Sequence, residues 1–175
     1  MFLAADVARP ERLERNGLVE PRSRFTYAVG RLVLYVPDGQ STDSPEAWLR
    51  VESFQHLAVA NPAIAPYGAA AQQVLERWDL WDELQARVVK GESVGQAFQF
   101  VESGAAEAGF VALSQVIDKE ASTYWIVPRE IHQPLLQDAV LLRTGALNAA
   151  AGEFLEFLRS EEAQQVLASY GYELP

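Results

Sequence analysis

Apolar and polar positions along this chain follow two periods in alternation. Short apolar runs with β-branched or aromatic content, at residues 2–5, 32–36, 57–60, 109–113, 124–127 and 139–142, have the length of buried strands. Between them the spacing becomes helical. Ala71, Val74, Leu75 and Trp78 fall at i, i+3, i+4 and i+7, and Val94, Ala97, Phe98 and Val101 repeat that stripe. Near the C-terminus Phe154, Leu155 and Leu158 form one apolar face. Ser160 then caps a last helix with the stripe Ala163, Val166, Leu167 and Tyr170.

Start and stop signals sharpen these limits. Residues 10–15 predict a short helix ended by Asn16-Gly17, since glycine tolerates the left-handed backbone of such a stop. Ser44-Pro45-Glu46 reads as a cap, a first-turn proline and an acidic residue facing the positive helix end. Strand and helix in alternation imply crossover connections, hence an α/β class with a largely parallel sheet covered on both faces. The segment "PDGQSTDSPEAW" alone has linker character, and it is too short to separate independent domains.

Composition and charge narrow the function. A chain of 175 residues with 49% hydrophobic content has a substantial core. Its formal net charge of −10, with Lys and Arg scattered, lacks the footprint of a nucleic-acid binder. No run approaches the ~20 apolar residues that span a bilayer, and no basic, apolar and small-residue leader precedes Phe2. The absence of cysteine removes disulfides and thiolate chemistry without fixing the compartment. His56 and His132 lack metal-ligand spacing, so no metal site is expected. There is no GxSxG elbow, phosphate loop or HExxH, and pairs such as Asp82-Glu83 read as solvated helix faces. An enzyme is not expected.

Two places remain where chemistry can sit. In "LAVANPAIAPYGAAAQQVLERW" a strand runs into a Pro- and Ala-rich loop, and a helix begins near Pro66-Tyr67-Gly68. In "VVKGESVGQAFQFVESG" Ser93 is a natural cap, and Val94 and Gly95 carry the first amides. A helix N-terminus offers unpaired N–H groups and a partial positive charge, so it binds anions without a cationic side chain. Two such ends aimed at one point make a pocket for a dehydrated oxyanion.

The segments "FLAADVARPERLERNGLV", "GRLVLYVPDG", "LAVANPAIAPYGAAAQQVLERWDLWDEL", "VVKGESVGQAFQFVESGAAEAGFVALSQV" and "FLEFLRSEEAQQVLASYGYELP" carry a resemblance. In order and spacing they resemble the molybdate-binding proteins of bacterial molybdate ABC transporters, from residue 2 to residue 174. The resemblance implies a type II periplasmic-binding-protein-like fold of two α/β lobes. Residues 29–137 would form one lobe, and residues 1–28 with 138–175 the remainder of an incomplete N-terminal lobe. It implies molybdate or tungstate as ligand, held by neutral donors with no cofactor, and a transporter permease as partner. Tyr67 resembles a position whose backbone amide meets the ligand and Val94 a second amide donor, with Pro66, Gly68 and Ser93 shaping the two helix starts. A further family position, often tyrosine, falls on Ala112. The family's start lies further upstream, so the chain is expected to lack the first part of its lobe and two hydroxyl-bearing ligand residues. Reduced or lost anion binding follows, as does pairing with a second copy to cover exposed apolar faces. Location is periplasmic by resemblance, and cytoplasmic if Met1 is the true start. The competing expectation is a self-associating module with no anion ligand.

Overall fold

Strands form at every predicted run, but their pairing is not the predicted one. The computed structural model of the chain describes residues 1–38, 45–50 and 54–175; Ser44, read as a cap, lies outside them. The elements in chain order are β1 (Phe2–Leu3), α1 (Ala8–Arg15), β2 (Phe25–Gly30), β3 (Leu32–Tyr35), α2 (Pro45–Arg50), β4 (Leu57–Ala60), α3 (Pro66–Arg77) and α4 (Trp81–Leu84). They continue with β5 (Val88–Gly91), α5 (Val94–Glu102), β6 (Ala108–Ala112), β7 (Tyr124–Ile126), β8 (Leu135–Val140), α6 (Ala149–Leu158) and α7 (Glu161–Ser169). Two compact units result: Met1–Gly30 with Pro134–Pro175, and Arg31–Gln133.

In the first unit β1, β8 and β2 form a three-stranded sheet, antiparallel throughout. Ala139 lies at its centre beneath Leu155 and Leu158 of α6, with Leu3, Phe25, Tyr27 and Leu141 packed around them. The helix ends obey their signals. Gly17 takes φ +67° just past α1, and Ser160 Oγ accepts the Ala163 N–H at 3.2 Å to open α7. The apolar stripe of α7 departs from expectation: Ala163 is buried, whereas Val166 and Tyr170 are 52% and 54% exposed. Phe154 of α6 is exposed as well.

The second unit holds a five-stranded sheet in the order β5-β4-β6-β3-β7. The expectation of a largely parallel sheet is corrected here. Only β4 runs parallel to its neighbours β5 and β6, while β3 opposes both β6 and β7. Parallel neighbours need a crossover, and α3 and α5 supply the helical ones, between β4 and β5 and between β5 and β6. β3 instead enters directly after β2, and β7 follows two single 3-10 turns. The class remains α/β, with helices on both faces. Val33, Tyr35, Ala58 and Val111 point toward Ala97 and Val101 of α5. The alternate residues of the same strands point the other way, toward α3, which packs on β3, β4 and β6.

One polar link ties α5 to this sheet. Tyr35 Oη donates to Glu102 at 2.8 Å, and Lys119 Nζ meets the other carboxylate oxygen at 2.8 Å. Lys119 first, and then Tyr35, hold the Glu102 carboxyl below the usual carboxylate range. A depressed carboxyl stabilises the fold above its unfolded value, and that contribution is lost as pH falls through the folded one. Glu102→Gln is therefore expected to lower the urea midpoint at neutral pH. Measured across a pH series, its gap to the parent protein should close in acid, below the ordinary carboxylate range.

Candidate anion-binding site

The second unit brings the two predicted helix starts together at one end of its sheet. β4 and β5 are adjacent and parallel, with Ala60 opposite Gly91 at their C-terminal ends. One residue on, the Asn61 N–H donates to Gly91 O at 2.7 Å, so the loops leading to α3 and α5 are bonded to each other directly. The chain passes from β4 to β5 in one direction across the sheet and from β5 to β6 in the other. Right-handed crossovers then place α3 and α5 on opposite faces. In open α/β sheets the crevice beyond such strand ends is where ligands bind.

The α3 tip is built from backbone. Asn61 O accepts the N–H groups of Ile64 at 3.1 Å and Ala65 at 2.9 Å, and Asn61 Oδ1 accepts that of Ala63 at 3.1 Å. Ala65 is an extended cap with no side-chain bond, Pro66 occupies the first turn, and the helical ladder starts with the Ala69 N–H on Ala65 O at 3.0 Å. Tyr67 and Gly68 stand ahead of that ladder. Tyr67 is buried, at 4% exposure. Gly68 is the only residue type that fits: a Cβ there would lie 2.1 Å from Ala60 O and 2.7 Å from Ala60 C. That close approach seats the first turn of α3 on the end of β4.

The α5 tip uses side chains. Ser93 is extended, and its Oγ accepts the Gln96 N–H at 3.2 Å. Gln96 Oε1 in turn accepts the Glu92 N–H at 2.6 Å, a reciprocal arrangement akin to a capping box. The ladder begins with Ala97 N–H on Ser93 O at 3.1 Å. Among the described residues the Val94 and Gly95 amides have no acceptor, and neither does that of Gly68. No Lys or Arg occurs from Leu57 to Glu76 or from Gly91 to Asp118. The first-turn amides at each tip carry the partial positive charge of a helix N-terminus.

All five predicted residues, Pro66, Tyr67, Gly68, Ser93 and Val94, thus sit in the two turns that follow β4 and β5. Ala112 ends β6, the other neighbour of β4, and its N–H is taken by Gln115 Oε1 at 2.9 Å. Sequence reasoning missed Asn61 and Gly91. The signal for the first was an Asn-Pro step directly after an apolar strand, a turn initiator. Gly91 had no comparable signal. Its constraint is that a Cβ there would lie 2.9 Å from Ala97 N and 3.1 Å from Ser93 O, visible only in three dimensions.

Residues 1–173 match the family model described as "Bacterial extracellular solute-binding protein". The chain belongs to that family. It is 45% identical over 172 residues to the molybdate-binding protein ModA of Rhodobacter capsulatus, covering 98% of this chain and 68% of that protein. With ModA of Azotobacter vinelandii it shares 46% identity over 177 residues, covering 99% of this chain and 70% of the relative. The solved periplasmic molybdate-binding protein of Azotobacter vinelandii superposes with a TM-score of 0.92 at 39% identity, over 99% of this chain and 78% of that one. These relatives are binding proteins, and the solute-binding fold of this chain is theirs. Among the described residues no helix is long and apolar enough to cross a membrane.

Proposed function

We propose that this solute-binding protein takes up a tetrahedral oxyanion, molybdate or tungstate, and presents it to an ABC transporter permease in the periplasm. The Asn61–Gly91 bond carries the reading, because it couples two amide-bearing helix tips in a chain whose relatives are named for molybdate. Tyr67, Gly68 and Val94 supply amide donors, Pro66 and Ser93 set the turns, and no cofactor or catalytic step takes part. A charge-assisted hydrogen bond to an anion contributes ~1.5–3 kcal/mol. Loss of any one donor is therefore expected to lower affinity by about an order of magnitude or more.

Exposure of Phe157, Val166 and Tyr170 in the first unit favours a second reading, in which the chain self-associates through exposed apolar side chains and holds no anion. Isothermal titration separates the two. Heat with molybdate and tungstate and none with the smaller sulfate is the expected result; silence with all three, from a protein that sediments as a dimer, would support self-association instead.

A further inference from the structure

Asn61 makes four hydrogen bonds where β4 hands over to α3: its N–H to Gly91 O, its O from Ile64 and Ala65, and its Oδ1 from Ala63. The side-chain bond closes an Asx-type turn, which fixes the loop that follows. Two close approaches then convert loop position into tip position. Gly68 leaves no clearance against Ala60 O and Asn61 C, so the start of α3 moves with residue 61. Gly91 leaves none against Ala97 N, so the strand end that Asn61 grips moves with the first turn of α5.

We propose that Asn61 is a positioning residue of the anion site, setting the spacing between the amides at the α3 tip and those at the α5 tip. The inference rests on the oxyanion reading above and adds a residue to it that acts through backbone donors on two different helices. Its side-chain oxygen bonds within its own loop, to the Ala63 N–H, so a merely local role confines the effect of its removal to residues 61–65.

The test compares Asn61→Ala, which removes the Oδ1 acceptor, with Asn61→Ser, which restores a shorter one. Amide resonances are recorded without ligand, and molybdate affinity by titration. Asn61→Ala is expected to move the amides of Val94 and Gly95, across the sheet end from the substitution, and to weaken molybdate about tenfold, the scale of one lost hydrogen bond. Asn61→Ser is expected to recover most of both. Shifts confined to residues 61–65, or Val94 and Gly95 shifts with unchanged affinity, would overturn the proposal. Should Asn61→Ala fail to fold, Asn61→Ser decides alone, by intermediate changes in both readouts or by none. A parent protein that takes up neither oxyanion removes the functional reading, while the ligand-free shifts still settle whether Asn61 couples the two tips.

Discussion

Replacing Gly68 with alanine is expected to destabilise the chain by at least about 3 kcal/mol, the upper range for overpacking against atoms that cannot yield. The new Cβ would overlap Ala60 O at 2.1 Å and approach Ala60 C and Asn61 C within 2.9 Å. All three are backbone atoms at the end of β4, so no side chain can rotate aside to make room. Relief requires the first turn of α3 to lift away from the strand, which opens the buried contacts of Tyr67 and Ala71 beneath it. Gly95→Ala is the matched control at the other tip. Its Cβ meets only Ser93 Oγ, at 3.7 Å, so urea midpoints should place it within ~0.5 kcal/mol of the parent. Equal losses at the two glycines would contradict the seating of α3 on β4.

Arg24→Leu is expected to produce the second large loss. Asp138 lies on the central strand β8 and is 1% exposed, with Oδ1 accepting from Thr26 Oγ1 at 2.7 Å and Oδ2 from Arg24 Nη1 at 2.9 Å. Arg24 also bonds Glu14 of α1 through Nε at 2.8 Å. Removing the guanidinium strands a carboxylate in a dry setting. The expected cost is about 2–3 kcal/mol, below the range for a fully buried pair because the Arg24 side chain keeps 30% of its surface in water. Removing both charges in Arg24→Leu with Asp138→Leu should recover a large part of that loss. A double-mutant cycle read by chemical denaturation checks the sign; additive losses would mean that the pair does not interact.

That same network explains where the sequence misleads. The strand expected at residues 139–142 lies at Leu135–Val140, because Gln137 and Asp138 look like solvent residues in "LLQDAV" yet are buried. Their partners, Tyr27 for Gln137 and Arg24 and Thr26 for Asp138, stand more than a hundred residues away, so nothing local announces that burial is satisfied. β2 escapes the sequence for a related reason: a half-buried edge strand such as "FTYAVG" shows neither a clean alternation nor a continuous apolar run. Signals confined to a few residues were legible. Ser93 and Ser160 cap the helices they were expected to cap, since the partner amides lie three residues on. α7 shows the limit of periodicity, which marks an apolar stripe but not what covers it: Val166 and Tyr170 lie in solvent in this chain. At the site, both helix starts could be read from Pro66 and Ser93. The bond that joins them could not, because it depends on β4 and β5 being neighbours.

Following tungstate addition amide by amide, on nitrogen-15-labelled protein, tests the two-tip site most directly. Resonances of Tyr67, Gly68, Val94 and Gly95 should shift together along a single saturation curve, with sulfate leaving them in place. Movement of one tip without the other, or shifts that map only to the first unit, would contradict it.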